Sequence, residues 1–276
     1  MINLNTIKRK IKSLLPERLK SYIRFYLSLT STPKSKNAVT SDLFPFRAKH
    51  NWETYFELLN VPFLINPNEN LKTGNRVKFI FFDENGKNFH EETIENQGFN
   101  RNTISINNLI NGKSISGEGT FACFHLINSS DLLKNGGYLA ERGYTGYAKK
   151  DYSNVKSYVH GNFDALAFDN GELQCLGKCF LFSKQEYRLQ HELIGPASYE
   201  LAFVNNTQKK QVLDVMLYKN NVNVKNRMVL SPRAIKWYKT TLKDNEVGRI
   251  VILSRMNLPR PVVFRLSQST FDVFHG

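Results

Sequence analysis

The sequence predicts a mainly β protein made of two duplicated antiparallel β-sandwich-like modules, preceded by a basic amphipathic helical arm. From residue 76 onward, segments rich in Phe, Tyr, Val and Ile alternate with polar turns, and the order of these segments repeats once. Aromatic and β-branched residues favour strands. The first 30 residues instead carry apolar residues at helical spacing. Since helical stretches do not alternate with the strands, a parallel α/β fold is excluded.

This order of segments predicts five regions. They are a basic amphipathic helical arm (residues 1–30), a linker and lead-in segment (31–75), a first β module (76–167), a connector (168–196) and a second β module (197–276). Modules of roughly 100 residues are a normal size for a sandwich. One continuous large sandwich is the alternative.

The arm is the most biased stretch of the chain. Residues 1–30 hold seven Lys or Arg and one acid, Glu17, so they carry +6 of the net charge of +14 and leave +8 for the rest. Apolar residues recur at i, i+4, i+7 and i+8 on both sides of Pro16, which suits the first turn of a second helix. The residues predicted to bind an anionic membrane surface are Lys8, Arg9, Lys10, Lys12, Arg18, Lys20 and Arg24.

Two other roles for the arm stay open. The apolar stripe can pack on the body of the same protein, with a solvated charged face. Nucleic acid is the least favoured partner, because no nucleic-acid-binding motif accompanies the charge. No run of about 18 apolar residues and no secretory signal pattern is present.

The first module is predicted from local strand and turn signals. The stretch "VKFIFFDENGKNFHEETI" indicates two strands joined by an Asp-Glu-Asn-Gly turn, and "TISINNLI" and "GTFACFHLI" indicate further strands. In the lead-in segment, "NWETYFELL" predicts one short helix near residues 52–59.

The second module is predicted from the same plan. In "SYELAFVNNTQKKQVLDVMLY" a strand, a polar turn and a return strand follow one another, and strands in "RMVLSPRAIKWYKTTL" and "GRIVILSRM" come next. The turn at residues 83–86 would then be equivalent to that at 205–208. No strong sequence identity links the two series, so the shared order alone supports the duplication.

A His-Gly pair follows an apolar or aromatic residue at two places, Val159-His160-Gly161 and Phe274-His275-Gly276. We predict that these are equivalent strand ends and that the first carries the function, because Asn162 and Asp164 follow it. On a strand, alternate residues share a face, so Tyr158, His160 and the next polar residues would form one polar line. An ordinary solvent-facing strand is the alternative. We expect His160 in a concave polar surface.

Further ligand-binding residues are predicted around these pairs: Arg142, Tyr144, Tyr147, Asn162, Asp164, Arg260 and His275. The tyrosines of "ERGYTGY" can stack on a sugar or a base, and the planar fork of Arg142 can hold a carboxylate or phosphate. Arg260 lies between two prolines that stiffen it. A loop that closes the sandwich and a stiff edge strand give the same two patterns.

Standard catalytic signatures are missing: the sequence has no G-x-S-x-G, G-x-x-x-x-G-K-[ST], G-x-G-x-x-G or H-E-x-x-H. We expect no metal and no cofactor. An iron site built from His160, Asp164 and His275 would require the two modules to meet there. The three cysteines, Cys123, Cys175 and Cys179, are interpreted as buried thiols in a reducing compartment.

The basic opening "IKRKIKSLLPERLKSYIRFYL" is similar to the start of some bacterial proteins of cell-surface polysaccharide assembly. The resemblance covers about one-tenth of the chain and carries no functional residues. Together these features predict a cytoplasmic accessory protein, peripheral to the inner face of the membrane, that binds a polar, anionic glycan or glycolipid precursor. The alternatives are a hydrolase or transferase with His160 as catalytic general base, and a nucleic-acid-binding protein.

Overall fold

The computed structural model describes residues 30–65, 75–96, 101–113, 116–127, 132–133, 137–141, 143–152, 155–162, 164–180, 183–219, 222–268 and 270–276. The basic arm that the sequence predicts therefore lies outside the described residues, apart from residue 30, and so does Arg142.

The first half of the described chain forms short and medium strands with two one-turn helices. In chain order these elements are β1 (Val39–Ser41), β2 (Phe44–Arg47), β3 (Trp52–Leu58), α1 (Val61–Ile65), β4 (Asn75–Asp83), β5 (Asn88–Asn96), β6 (Asn102–Ser105), α2 (Ile106–Ile110), β7 (Glu118–His125), β8 (Ala140–Glu141), β9 (Tyr144–Lys149) and β10 (Ser157–His160).

The second half continues with strands: β11 (Leu166–Asp169), β12 (Glu172–Cys175), β13 (Gln185–Arg188), β14 (Leu193–Ile194), β15 (Ala197–Val204), β16 (Gln211–Lys219), β17 (Val222–Leu230), β18 (Ile235–Leu242), β19 (Val247–Ser254), β20 (Val262–Leu266) and β21 (Phe271–His275). The prediction of a mainly β protein is confirmed.

These strands form five sheets, and their neighbours are antiparallel except for the β1–β8 pair. The orders are β12-β11-β1-β8, β10-β9-β3-β6, β2-β7-β4-β5, β18-β15-β20-β21 and β13-β19-β16-β17, with β14 also on β19. The segment predicted as linker and lead-in thus supplies strands to three sheets.

The β18-β15-β20-β21 sheet is buried on both faces and joins the two halves of the body. Along β15, Tyr199, Leu201 and Phe203 pack with residues of the β13-β19-β16-β17 sheet. Ala202 and Val204 point to the opposite side, where they share a core with residues of β3 and β9. Since successive strand residues alternate between faces, this one sheet serves two cores. The described chain is therefore one continuous layered body.

Local turn chemistry explains the predictions that hold. The β4–β5 hairpin is confirmed, with Gly86 at φ +84 in its turn. The strand expected in "TISINNLI" ends at Ser105, whose side chain accepts a hydrogen bond from the Asn108 N–H and starts α2. The helix expected near residues 52–59 is wrong: this segment is β3, which pairs with β6 and β9.

The duplication is not confirmed. The strand, turn and return strand expected over residues 197–219 are present, but the two strands do not pair with each other. β15 pairs with β18 and β20, whereas β16 pairs with β17 and β19. The turn between them crosses from one sheet to the other, held by Asn205, whose side-chain amide donates to the carbonyls of Lys209, Leu230 and Ser231. It is therefore not equivalent to the β4–β5 hairpin turn.

Among the described residues, no helix is long and apolar enough to cross a membrane. All three cysteines are free. Cys123 and Cys175 are buried as predicted, whereas Cys179 is exposed, and its sulfur accepts a hydrogen bond from the Gln211 amide. The predicted burial is wrong for Cys179.

Candidate functional site

The two His-Gly elements meet in space. β10 and β21 run side by side, with the Val273 N–H donating to Ser157 Oγ over 3.0 Å. At the ends of these strands the ring centroids of His160 and His275 are 4.9 Å apart, and His275 Nε2 donates to the carbonyl of His160 over 2.6 Å. The repeated motif therefore marks two neighbours at one point of the structure, rather than the matching positions in two copies that we predicted.

His275 supports this contact as a neutral donor. The pKa of His275 is lowered to about 4, mainly by burial. The hydrogen bond to the carbonyl of His160 opposes part of this shift, and the positive charge of Arg260 adds to it. The ring is therefore uncharged near neutral pH, and its single proton is on Nε2, where the bond to His160 requires it. His275 fixes the end of β10 in place.

His160 is exposed at the end of its strand. Its Nδ1 donates a hydrogen bond to the carbonyl of Gly161 over 2.5 Å. The Tyr144 ring also lies near His160, edge-on, with 6.4 Å between the two ring centroids. The concave polar surface expected around His160 and Arg142 stays a prediction, because Arg142 lies outside the described residues.

That face carries two rows of functional side chains across the β10-β9-β3-β6 sheet. In one row, Tyr158, Gly146, Tyr55 and Ser105 are directly opposite one another. In the next row, two residues along each strand, are His160, Tyr144, Glu57 and Thr103. We call the surface formed by Tyr55, Thr103, Tyr144, Tyr158 and His160 around the mostly buried carboxylate of Glu57 the tyrosine face.

Glu57 is the central acceptor of the tyrosine face. Its Oε1 accepts hydrogen bonds from the Tyr158 hydroxyl at 3.2 Å and from Thr103 Oγ1 at 3.0 Å. Arg101 lies 4.0 Å from Oε2 and also packs over the Tyr144 ring, with 5.6 Å between its Cζ and the ring centroid. Hydroxyls, a carboxylate and a cation thus surround two partly exposed rings.

A glycine lets the Tyr158 ring lie against the sheet. A Cβ added at Gly146 would come within 2.5 Å of the Tyr158 ring, so the ring covers the backbone of β9. Tyr158 and Tyr144 nevertheless remain 40% and 44% exposed. Rings that are fixed in place and still accessible can stack on a flat ligand at little cost in side-chain entropy.

Tyr55 is more heavily engaged than the other two tyrosines. Its hydroxyl donates to Glu53, and this hydrogen bond raises the pKa of Tyr55 to about 12. Lys156 Nζ lies 3.8 Å from the centroid of its ring. Burial, followed by the charge of Glu57, raises the pKa of Tyr158 as well. Both phenols therefore remain protonated donors at neutral pH.

Asn162 and Arg260, two of the predicted ligand-binding residues, form a second cluster beside the first. Arg260 Nε donates to Asn162 Oδ1 over 3.1 Å, and Asn162 Nδ2 donates to the Arg260 carbonyl over 3.1 Å. The backbone N–H of Asn162 donates to the Asp42 carboxylate. Both side chains line a cavity of about 490 Å³. Asn162 follows His160 by two residues, so this cavity begins where the tyrosine face ends.

Two further predicted residues, Tyr147 and Asp164, are not part of either surface, and Arg142 lies outside the described residues. Tyr147 is fully buried; its hydroxyl donates to the Pro45 carbonyl and its ring packs edge-on against Phe264, so the predicted role in ligand stacking is wrong. Asp164 is half-buried beyond β10. In the part of the chain that the structure describes, no three His, Cys, Asp or Glu side chains are placed to share a metal ion.

The prediction missed Tyr55 and Glu57 because their segment was taken for a helix. The signal was present in "WETYFEL", where Trp52, Thr54 and Phe56 are buried and the intervening residues are turned outward. A period of two in a short aromatic segment is typical of a strand with one buried face.

Comparison with known proteins adds no assignment. No protein-family model and no curated protein match the chain. Among solved structures, an anti-sigma factor domain-containing protein aligns over 84% of this chain and 80% of its own, with 11% identity and a TM-score of 0.21. The major pilin from Streptococcus pyogenes aligns over 86% and 98%, with 11% identity and a TM-score of 0.17. A structure of infectious bursal disease virus, Gt strain, covers 92% and 87%, with 10% identity and a TM-score of 0.17. Similarities this weak support no conclusion about this chain.

Proposed function

We propose that the protein binds a polar, anionic glycan or glycolipid precursor on its tyrosine face, as an accessory protein that the basic arm holds at the inner face of a membrane. The observation that carries the proposal is the exposure of Tyr144 and Tyr158 around the hydrogen-bonding carboxylate of Glu57. Sugar rings offer a flat C–H surface for an aromatic ring and hydroxyl groups at the edge for a carboxylate. The cations Arg101 and Lys156 at the margins favour an acidic chain.

A binding role fits these residues better than hydrolysis or transfer. His160, the predicted general base, is on an open surface, and a water-exposed position gives little of the exclusion of solvent that active sites use. The enzyme stays the alternative proposal, and turnover of a glycan substrate that Tyr158→Ala and His160→Gln both abolish would favour it.

Removing the Tyr158 ring is expected to weaken glycan binding about tenfold. A stacked aromatic ring contributes about 0.5–1.5 kcal/mol beyond its buried area, and 1.4 kcal/mol is a factor of ten. Calorimetric titration with alginate, an acidic polymer, and dextran, a neutral one, would measure the change. Tyr158→Phe keeps the ring and loses only the hydroxyl, so it should bind better than Tyr158→Ala.

Tyr218→Ala is the matched control, because Tyr218 is 37% exposed on β16, on a different sheet. It should bind alginate like the wild type. The tyrosine face as a glycan site would be contradicted if the wild type bound neither alginate nor dextran. It would also be contradicted if Tyr158→Ala and Tyr218→Ala weakened alginate binding equally.

Deleting residues 1–29 is expected to abolish flotation with anionic vesicles. The deleted segment holds seven Lys and Arg, and each basic residue near an anionic surface contributes on the order of 1 kcal/mol. The full chain and the truncated chain would be compared on phosphatidylglycerol vesicles, with pure phosphatidylcholine vesicles as the control. Equal flotation of both chains would remove the arm from the proposal and favour its packing on the body.

A further inference from the structure

The cavity beside Arg260 has the size and lining of a small-molecule site. Its volume of about 490 Å³ lies within the range of ligand pockets. Four apolar side chains, Phe180, Ile252, Met256 and Leu258, provide surface for the carbon framework of a ligand. Amide and hydroxyl groups complete the wall: Asn162, Gln185, Gln190, Ser254 and Asn257. A wall of this kind suits a ligand with a ring and several hydroxyl groups.

Arg260 supplies the charge at this site. Its reciprocal hydrogen bonds with Asn162 fix the guanidinium at the cavity wall. Among the residues that the structure describes, no carboxylate is within ion-pairing distance of Arg260. Glu186, the acid in the same wall, is held by Arg188 at 2.6 Å. The guanidinium therefore has no ion-pair partner among the described residues, although the Asp42 carboxylate lines the small chamber beside it, and its planar fork matches a carboxylate.

The buried side-chain amide of Asn206 is a second feature that indicates a ligand beside Arg260. A small chamber of about 20 Å³ shares Asn162 and Arg260 with the cavity and is also lined by Asn206. Asn206 is fully buried, and neither Nδ2 nor Oδ1 has a hydrogen-bond partner among the described residues. Buried polar groups without a partner are rare and call for an explanation. A chamber of this size admits one oxygen atom with its hydrogens, so a single ligand hydroxyl or one water satisfies the amide.

We propose that this cavity binds a carboxylate-bearing sugar unit at the end of the glycan, with its carboxylate on Arg260 and its ring on the apolar wall. The ligand class rests on the proposed glycan-binding function, and the cavity is a site separate from the tyrosine face. The two are joined by β10: His160 closes the tyrosine face, and Asn162 lines the cavity two residues later. Two residues of extended chain span about 7 Å, so a chain of sugars can lie on the tyrosine face and place its acidic end unit in the cavity.

The test uses the full chain and two monosaccharides of the same size. Calorimetric titration is expected to show binding of D-glucuronate at least tenfold tighter than binding of D-glucose. Arg260→Gln should weaken glucuronate binding at least tenfold and leave the weak glucose binding unchanged. Arg249→Gln is the matched control: it removes one positive charge from an arginine that is 74% exposed and paired with Glu192, and it should bind glucuronate like the wild type. Arg260→Lys keeps the positive charge without the planar fork, so it should bind glucuronate more tightly than Arg260→Gln and less tightly than the wild type.

Three outcomes would overturn the proposal. The first is that the wild type does not bind glucuronate. The second is that Arg260→Gln binds glucuronate as tightly as the wild type does. The third is that the wild type binds inorganic phosphate as tightly as glucuronate, which would mean a general anion site. Asn206→Ala tests the chamber and should weaken binding of both sugars by the same factor. Loss of alginate binding in Tyr158→Ala without any glucuronate binding would overturn the cavity alone. Glucuronate binding by the wild type with no effect of Tyr158→Ala on alginate would overturn the tyrosine face alone.

Discussion

Gly86→Ala is expected to lower the melting temperature by about 6 °C, at about 2 °C for each kcal/mol in a chain of this length. Gly86 has φ +84 in the β4–β5 turn, and a Cβ there would lie 1.9 Å from the Pro232 carbonyl oxygen and 2.7 Å from the Ala234 nitrogen. The left-handed conformation costs a side chain about 1–2 kcal/mol, and overpacking against backbone adds about 1–3 kcal/mol.

The overlap falls where the two halves of the chain meet. The Ile235 N–H donates to the Glu84 carbonyl, and Arg233 Nε donates to the Gly86 carbonyl, both over 3.3 Å. Thr120 Oγ1 donates to the Arg233 carbonyl over 2.8 Å. A side chain at position 86 must push the turn away from this loop and weaken the two contacts that the turn makes, those of Glu84 and Gly86. The variant therefore tests whether the β4–β5 turn stabilises the union of the two halves.

Gly112→Ala is the matched control for this variant. Gly112 also has a positive φ, +73, but no atom lies within 4 Å of an added Cβ. The Gly112→Ala variant has the energetic cost of a left-handed alanine but no overlap with other atoms, so its melting temperature should be about 2–4 °C below that of the wild type. Scanning calorimetry on both variants separates the two effects. Equal decreases would mean that the turn does not press on the loop at residues 232–234.

The sequence predicts the local elements of this fold better than their pairing. The β4–β5 hairpin follows from a glycine turn between an apolar segment and a mostly polar one with strand-forming residues, and that information is contained in 18 consecutive residues. The segment over β15 and β16 has a similar local pattern, yet each strand pairs with strands far along the chain. What separates the two cases is the side chain of Asn205, which ties its turn to the carbonyls of Leu230 and Ser231. A contact across 25 residues is not visible in a local pattern.

For the candidate site, the sequence predicted individual residues better than their arrangement. His160, His275, Asn162 and Arg260 were found because two His-Gly pairs and a proline-flanked arginine are unusual, and the structure places all four side by side. Their arrangement differs from the predicted one, because β10 and β21 are neighbours rather than copies. Chain topology decides which strand ends meet, and one sequence without relatives contains no direct signal for it.

Arg47→Gln is expected to cause the largest loss of stability, about 3–5 kcal/mol, which is the usual cost of removing one partner of a buried ion pair. Arg47 is 4% exposed at the end of β2. Its Nε lies 3.0 Å from Glu118 and its terminal nitrogen 2.7 Å from Glu200, a residue of β15. Its guanidinium lies 4.5 Å from the ring centroids of both Trp52 and Trp237. The substitution leaves Glu118 without its cation and leaves Glu200 with only Lys239, 3.3 Å from its other oxygen. It also removes a contact that joins β2 to the β18-β15-β20-β21 sheet.

The expected decrease in melting temperature is about 6–10 °C at the same rate of about 2 °C for each kcal/mol, and intrinsic fluorescence can follow it because the two tryptophans of the chain are the rings that hold the guanidinium. Arg188→Gln is the control: Arg188 is 78% exposed and paired with Glu186, and exposed pairs contribute at most about 1 kcal/mol. The triple variant Arg47→Met, Glu118→Gln, Glu200→Gln should be more stable than Arg47→Met alone, because it removes the two partly buried carboxylates that lose their arginine. If the triple variant is the less stable of the two, uncompensated carboxylates are not the cause of the loss, and packing of the arginine between the two indole rings is.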